Sequence, residues 1–206
     1  MSRLCIENLS TALLKNIELE VAAGECVCLS GASGCGKSLL LRAIVDLDEH
    51  DGEVTLGEQT CSGMPADQWR RRVGLLPTES FWWHDTPQEH FSHDDLQNVI
   101  LATDWLSRLG LAPAILQQHI SQLSSGERQR LALLRLLANQ PEMLLLDEPT
   151  SSLDPDSISA VESLIKDYQK HYQAAVIWVS HNAAQASRVA DRHFIIEQGA
   201  LQEQPL

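Results

Sequence analysis

Gly31-Ala-Ser-Gly-Cys-Gly-Lys37-Ser38 is a glycine-rich segment that joins two apolar stretches near the start of the chain. The stretch before it, Cys26-Val-Cys-Leu29, has the pattern of a short buried strand, and the one after it, Leu39-Leu-Leu-Arg-Ala-Ile44, that of a buried helix. A strand, a glycine-rich loop and a helix in this order are the context in which such a loop holds phosphate groups. The segment therefore predicts a nucleotide-binding protein, in preference to a surface turn that matches by chance.

The residue types of this segment suit a nucleotide bound with its metal ion. The glycines let backbone N–H groups turn toward phosphate oxygens without a Cβ in the way. Lys37 is predicted to place a positive charge on the outer phosphates, and Ser38 to offer its hydroxyl to Mg²⁺ at the N-terminus of the helix, where an anion is also favoured. The predicted nucleotide-binding residues here are Gly31, Ala32, Ser33, Gly34, Cys35, Gly36, Lys37, Ser38 and Leu39.

Two adjacent carboxylates end an apolar run in the second half of the chain, Met143-Leu-Leu-Leu-Asp147-Glu148. The run is typical of a buried parallel strand that delivers charge at its C-terminal end. Asp147 is predicted to hold the Mg²⁺ shell, and Glu148 to polarise a water molecule against the γ-phosphate. The alternative, a strand that merely stops at an acidic turn, is weaker because a phosphate loop lies upstream.

A second candidate anion site precedes that strand, at Leu123-Ser-Ser-Gly-Glu127. Two serines and a glycine open a helix whose first turn carries a glutamate, which is the pattern of a capped helix N-terminus with free N–H groups. Ser124, Ser125, Gly126 and Glu127 are therefore also predicted to contact nucleotide.

The order of these motifs resembles the ATP-binding subunits of ATP-binding-cassette (ABC) systems, from about residue 4 to residue 203. Residues 123–127 are similar to the family's signature motif, with Ser125 and Glu127 at positions where the family usually has glycine and glutamine. Asp147 matches the Walker B aspartate and Glu148 the catalytic glutamate.

Two further segments extend the resemblance toward the C-terminus. Residues 151–154, Ser-Ser-Leu-Asp, resemble the family's D-loop. His181 follows the apolar run Val176-Ile-Trp-Val-Ser180 and matches the switch histidine, whose imidazole is expected to contact the γ-phosphate. Glu148, His181 and Lys37 are thus the residues expected to carry catalysis.

The resemblance implies an α/β fold: a P-loop NTPase core with a mainly parallel sheet, an N-terminal antiparallel β-subdomain and a compact helical subdomain. Residues 1–206 form one expected ATPase domain. Residues 1–77 hold the β-subdomain and the first half of the core, residues 78–125 the helical subdomain with the signature motif, and residues 126–206 the second half of the core. Within the helical part, Leu96, Val99, Ile100, Trp105, Leu106 and Leu109 recur at helical spacing, and Gly110 and Pro113 are predicted to close that helix.

The resemblance also implies how the subunit works. Two copies arranged head to tail place Ser124, Ser125 and Gly126 of each over the ATP of the other. Hydrolysis then opens the homodimer, which rearranges an integral membrane subunit formed by a separate polypeptide. The expected location is cytoplasmic, on the inner face of the cell membrane through that partner. A soluble ABC-type ATPase acting on DNA or the ribosome is the alternative, and a P-loop kinase for small molecules is a third.

The chain departs from the family pattern at two places. The first aromatic residue is Trp69, so the early aromatic that the family stacks on adenine is missing from the turn at residues 10–13. Thr78 stands where the family's Q-loop has a Mg²⁺-contacting glutamine, and both Thr78 and Glu79 are left as candidates to replace it.

Composition bounds the remaining alternatives. A formal net charge of −13 argues against a general affinity for nucleic acid or anionic lipid. Five cysteines without metal-ligand spacing indicate reduced thiols in a cytosolic protein. At least one ring of Phe81-Trp-Trp83 is predicted to line a docking groove rather than the core. His84, His90, His93 and His119 are predicted to be solvated rather than metal ligands.

Overall fold

The computed structural model describes residues 2–93, 96 and 104–206. Strands build two sheets within these ranges. The first sheet is antiparallel and has the strand order β2-β1-β4-β5. Its strands are β1 (Leu4–Ser10), β2 (Ile17–Val21), β4 (Asp51–Leu56) and β5 (Gln59–Thr60).

The second sheet forms the centre of the fold and has the order β10-β9-β3-β8-β7-β6. All its neighbouring strands run parallel except β10, which pairs antiparallel with β9. The strands are β3 (Cys26–Ser30), β6 (Val73–Leu76), β7 (Met143–Asp147), β8 (Ala175–Val179), β9 (Arg192–Glu197) and β10 (Ala200–Gln204). This arrangement confirms the predicted fold class, with its mainly parallel core sheet and N-terminal antiparallel sheet.

Six α-helices are described: α1 (Lys37–Ile44), α2 (Ala66–Arg72), α3 (Trp105–Arg108), α4 (Ser125–Ala138), α5 (Pro155–Tyr172) and α6 (Ala183–Val189). The described ranges contain no helix that combines the length and the apolar composition required to cross a bilayer.

The core sheet is buried on both faces, and its middle strands β7 and β8 are buried at every position and apolar at all but Asp147. In β7, Leu144 and Leu146 point to a core shared with α4 and α5, whereas Met143 and Leu145 point to a second core shared with α1 and the antiparallel sheet. This alternation follows from the two-residue period of a strand. The sheet therefore holds the carboxyl end of β7 rigidly between two packed layers.

The helical segment is more irregular than its sequence pattern predicts. Of the helix expected around Trp105, one α-helical turn is described, and Gly110 (φ +66°) follows its end as predicted. Val99 and Ile100 lie outside the described residues. In the rest of the segment that the structure describes, short 3₁₀-helices lie at Pro87–His90, Pro113–Gln117 and Ile120–Gln122. The first two of these 3₁₀-helices begin with proline, which fixes φ at a value that suits the first turn of a helix but does not make the helix longer.

Candidate nucleotide site

The phosphate loop connects β3 to α1, and two of its glycines are required by the backbone. Gly31 has φ +143° and Gly36 has φ +111°, values that L-residues rarely adopt. A Cβ on Gly31 would lie 2.8 Å from the carbonyl oxygen of Ile196, and one on Gly36 would lie 2.8 Å from Cδ2 of Leu14. A Cβ on Gly34 would meet nothing within 4 Å. The loop is therefore held against β9 and the turn after β1.

Lys37 lies at the centre of this loop. Its side chain is buried, and its Nζ donates hydrogen bonds to the carbonyl oxygens of Gly31 (2.9 Å) and Ala32 (3.0 Å). These bonds hold the ammonium group over the loop opening, where it would face an anionic ligand. The contact of Lys37 with the outer phosphates stays a prediction.

Ser38 and Asp147 are in contact at the carboxyl end of β7 in the core sheet. The Ser38 hydroxyl donates to Oδ2 of Asp147 across 2.6 Å, although the two residues are 109 positions apart in the chain. Among the described residues, no group of three or more His, Cys, Asp or Glu side chains could hold a metal ion alone. A hydroxyl and one carboxylate are nevertheless a fitting Mg²⁺ set, because Mg²⁺ is usually held by one or two carboxylates together with substrate phosphates and water.

Glu148 and His181 form a second pair beside the first. Nε2 of His181 lies 2.9 Å from Oε1 of Glu148, and both side chains remain partly exposed. Glu148 follows β7 and His181 follows β8, so the pair spans the carboxyl ends of neighbouring parallel strands. The Glu148 backbone has φ +50°, and its N–H donates to the carbonyl of Val179 (3.2 Å). This left-handed turn aims a carboxylate away from the strand axis.

Gln129 is a buried residue near this site to which the sequence analysis gave no role. Its amide Nε2 donates to the carbonyl of Glu148 (3.3 Å), and its Oε1 accepts from the Ser152 hydroxyl (2.8 Å). It thereby ties α4 to the turn that carries Glu148. The sequence offered one signal for Gln129: a single polar residue on the apolar face of a predicted helix. Such a residue needs a hydrogen-bond partner when it is buried.

The signature segment has the predicted capping. The Ser124 hydroxyl accepts from the N–H of Glu127, and the Glu127 carboxylate accepts from the N–H of Ser124 (2.8 Å), which forms a capping box. Hydrogen bonds from the Ser124 side chain and backbone hold the pKa of Glu127 below its usual range. A Cβ on Gly126 would lie 3.3 Å from the carbonyl of Ser152, so this helix start packs closely against the D-loop segment.

Thr78 and Glu79 are exposed and lie in a cleft of about 450 Å³. The cleft is shared with residues of α4 and the D-loop segment, including Ser125 and Arg128. Neither Thr78 nor Glu79, both in the described ranges, is hydrogen-bonded to Ser38 or Asp147. Their suggested contact with Mg²⁺ stays a prediction.

The aromatic segment after this cleft divides between core and surface. Trp82 packs against the core, whereas Phe81 and Trp83 are 79% and 67% exposed. The guanidinium of Arg135 lies 4.5 Å from the ring centre of Trp82 and 4.9 Å from that of Trp83, the geometry of a cation–π contact on each side. Burial lowers the pKa of Arg135.

His90 locks this segment and is not the solvated residue that the sequence predicted. Its Nε2 accepts from the N–H groups of Trp83 (3.0 Å) and His84 (3.2 Å), and its Nδ1 donates to the carbonyl of Thr86 (3.0 Å). The ring must therefore be neutral with the proton on Nδ1. Burial is the main cause that lowers the pKa of His90. The prediction of a solvated ring failed because backbone groups of the loop, rather than water, are its hydrogen-bond partners.

Comparisons with known proteins show which family this chain resembles. The family model described as "ABC transporter" matches residues 14–151, more than half of the chain. The rice protein STAR1 (Oryza sativa subsp. japonica) is 36% identical over 197 residues, which cover 93% of this chain and 57% of that protein. A phosphate import ATP-binding protein, PstB 1, of Yersinia pestis bv. Antiqua is 36% identical over 210 residues, covering 93% of this chain and 77% of that protein.

Solved structures show the same fold. An ATP-binding subunit of an ABC transporter superposes with a TM-score of 0.88 at 23% identity, covering 98% of this chain and 90% of that one. A dimeric ATP-binding cassette in a post-hydrolysis state with ADP and Pi superposes with a TM-score of 0.84 at 24% identity and covers 98% of each chain. The motif order, the fold and these likenesses agree: the chain belongs to the ABC transporter family, whose cassettes bind and hydrolyse ATP.

Proposed function

We propose that this chain is the ATP-hydrolysing subunit of an ABC transporter, acting as a homodimer that drives a separate integral membrane subunit. The observation that carries the proposal is the meeting of Ser38 with Asp147 and of Glu148 with His181 at one edge of the core sheet. Both pairs lie at the carboxyl ends of parallel strands, the place where open α/β sheets bind ligands.

Each of these residues has a distinct role in the proposed reaction. Lys37 binds the outer phosphates of ATP, and Ser38 and Asp147 hold Mg²⁺, which neutralises charge on those phosphates when bound. Glu148 accepts a hydrogen bond from the attacking water and orients it. His181 holds the Glu148 carboxylate in place and presents its imidazole toward the γ-phosphate. The chain's own groups thus position the water and stabilise charge, which is most of what phosphoryl transfer requires.

A head-to-tail dimer is proposed from the position of the signature segment. The start of α4 packs on the D-loop segment and faces the cleft with Thr78 and Glu79. Ser124, Ser125 and Gly126 are therefore proposed to serve the ATP of a second subunit. The dimeric cassette of similar fold is consistent with such pairing.

A membrane subunit is proposed as the partner because of the exposed aromatic rings. Phe81 and Trp83 stand out from the surface directly after the cleft, and aromatic residues are favoured anchors of interfaces. The relative PstB 1 is named as a phosphate import ATP-binding protein. A peripheral position on the inner membrane face follows from this partner. A role on DNA or the ribosome is the second candidate, but the net charge of −13 opposes nucleic-acid binding.

The variant Glu148→Gln tests the proposed reaction. It keeps the shape and the binding site but cannot accept a proton, so turnover should fall by about 10²-fold or more. Size-exclusion chromatography with Mg²⁺-ATP should then show an ATP-bound dimer. Glu58→Gln, an exposed position in the turn between β4 and β5, is the matched control and should hydrolyse ATP as the parent does. Parental turnover in Glu148→Gln would exclude Glu148 from catalysis.

A further inference from the structure

A second cavity of about 430 Å³ lies away from the nucleotide site, beneath α5 and the end of α6. Its apolar lining comes from both sheet and helices, and includes Cys26, Ile165, Trp178 and Val189. Cys26 and Trp178 belong to neighbouring strands of the core sheet and are almost completely buried. The cavity therefore reaches the layer of side chains beside the sheet itself.

The indole N–H of Trp178 is an unusual feature of this cavity. The side chain is 1% exposed, and its Nε1 has no hydrogen-bond partner in the described part of the chain. Most buried polar groups are paired, and an unpaired one is destabilising. A small rotation of the indole would bring this N–H to the cavity, where an acceptor atom of a bound molecule would pair with it.

The charged rim of the cavity favours an anion. Lys166 and Arg188 contribute positive charge, and Glu162 is the only carboxylate among the residues that line it. Arg188 is already paired with Glu162 (Nη2–Oε1 2.8 Å), whereas Lys166 has no ion-pair partner among the described residues. Lys166 therefore leaves the lining with one more positive than negative side chain.

A chain of hydrogen bonds joins this rim to the catalytic turns. Gln185 Nε2 donates to Oε1 of Glu162 (2.9 Å) and to the Thr150 hydroxyl (2.9 Å). The Ser180 hydroxyl donates to Oε1 of Gln185 (2.8 Å), and Ser180 immediately precedes His181. Gln185, Ser180 and Thr150 are all buried, so their hydrogen bonds cannot be replaced by water without cost.

Glu162 thus lines the cavity and is also the first residue of the hydrogen-bond chain that leads through Gln185 to Ser180. Burial acts to raise its pKa, but hydrogen bonds from Arg188 and Gln185 outweigh this and keep the pKa below its usual range. An anion that draws Arg188 away would leave the carboxylate bound by Gln185 alone. The position of Gln185 then changes, and with it the support of Thr150 and Ser180.

We propose that this cavity is a regulatory site for a small organic anion with a flat apolar body and a hydrogen-bond acceptor. The apolar body lies against Ile165 and Val189, and the anionic group accepts hydrogen bonds from the Trp178 indole and Lys166. The same anionic group draws Arg188 away from Glu162. Occupancy changes the rate of ATP hydrolysis through Glu162 and Gln185.

Binding is tested with 2-naphthoate as the probe and 2-naphthalenemethanol as its uncharged analogue. The ¹⁵N-labelled full chain has five tryptophans, and Trp178→Phe assigns the indole N–H signal of interest. 2-Naphthoate should shift that signal saturably, and the alcohol should bind several-fold more weakly. Lys166→Gln should weaken 2-naphthoate binding, and Ser163→Trp, at an exposed position on the cavity wall, should block it.

The control for charge is Lys170→Gln, which removes a lysine of the same helix that does not line the cavity and should bind like the parent. Equal, unsaturable shifts of all the indole signals would mean binding at high concentration only, and would overturn the site. Binding that is unchanged in both Lys166→Gln and Ser163→Trp would overturn it as well.

Coupling is tested by ATPase rates with and without saturating 2-naphthoate. The parent rate should change at least about twofold, the scale expected when one net hydrogen bond is lost. Ser163→Trp should not respond, which excludes an effect of the probe at the nucleotide site. Glu162→Gln keeps an acceptor for Gln185 but loses the charge that binds Arg188, so its response should disappear. Gln118→Met, an exposed control, should respond like the parent. An undiminished response in Glu162→Gln would overturn the coupling.

Discussion

Two regions of this protein are held in place by different contacts. The phosphate side comprises the phosphate loop with Asp147, Glu148 and His181, and the aromatic side comprises the loop at residues 81–90. On the phosphate side, Asp147 and Glu148 follow a strand that is buried at every position, and each carboxylate meets a partner from another element. On the aromatic side, Phe81 and Trp83 lie in a loop held by two partly buried side chains, Arg135 and His90. The side chains proposed for the reaction thus follow strands of the core sheet, whereas the surface proposed for a partner lies in a loop held by side-chain contacts.

The largest expected effect tests the rigidity of the phosphate side. Gly36→Ala places a Cβ 2.8 Å from Leu14 at a φ of +111°, so the loop must move. We expect ATP affinity to fall by more than about tenfold, because a loss of ~1.4 kcal/mol already has that effect. Isothermal titration calorimetry with ATP measures the change.

Gly34→Ala is the matched control for this experiment. Its Cβ meets nothing within 4 Å, and its φ of +76° is left-handed. The substitution costs backbone strain alone, roughly 1 kcal/mol, and should weaken ATP binding less than Gly36→Ala does. Equal losses would show that strain, and not packing on Leu14, controls the loop.

A smaller effect, on the ATPase rate, is expected from a substitution at Thr78, in the cleft between the two regions. A threonine hydroxyl is short, whereas a glutamine amide could reach the Mg²⁺ shell and the attacking water. Thr78→Gln should therefore raise the ATPase rate of the isolated subunit about two- to tenfold, the range of one net hydrogen bond. Glu79→Ala should lower only the partner-stimulated rate. If neither variant changes either rate, residues 78–79 do not act as the Q-loop.

Base selectivity should also be weak. The turn before Leu14 carries no aromatic ring, and Leu13 is its exposed apolar residue. Stacking on a ring contributes about 1–3 kcal/mol per base, so without it GTP should bind within about threefold of ATP. Competition calorimetry gives the ratio. A preference for ATP beyond tenfold would mean that another residue of the chain contacts adenine.

The sequence predicts the phosphate side better than it predicts the aromatic side. The phosphate loop, Asp147, Glu148 and His181 could be placed because strand-loop-helix order and buried parallel strands constrain where their side chains lie. The family, the fold and the ATPase class are confirmed, whereas the site roles and domain limits stay predictions. Gln129 and Gln185 escaped notice because a single polar residue on a helix face gives no periodic signal. Their partners are up to 35 positions away in the chain.

His90 was misjudged for a related reason. Its partners are backbone groups of Trp83, His84 and Thr86, and no side-chain pattern encodes the turn that brings them together. Loop conformation depends on such local hydrogen bonds rather than on hydrophobic periodicity. The aromatic triplet was better predicted, because three consecutive rings cannot all point inward, and two of them are exposed.

The smallest expected effect is the pH dependence that His90 gives to the aromatic side. A proton on Nε2 would remove both hydrogen bonds from the loop N–H groups and would add positive charge near Arg135 and His84, offset in part by Glu89. Because the folded-state pKa lies below 6.5, the unfolded chain binds more protons between these values. The contribution of His90 to stability is therefore complete above pH 6.5 and is lost as pH falls through the folded pKa.

Urea unfolding of the parent and of His90→Asn between pH 5 and pH 8 measures this contribution. The difference in unfolding free energy between the two should be largest above about pH 6.5 and should shrink at lower pH by less than ~1 kcal/mol, since His90 is only partly buried. Gln88→Asn, at an exposed position of the same 3₁₀-helix, removes no titratable group and is the control; its difference from the parent should be constant with pH. A difference for His90→Asn that is constant with pH would show that the ring acts by packing against Trp82 and Trp83, and that its ionisation has no part in holding the loop.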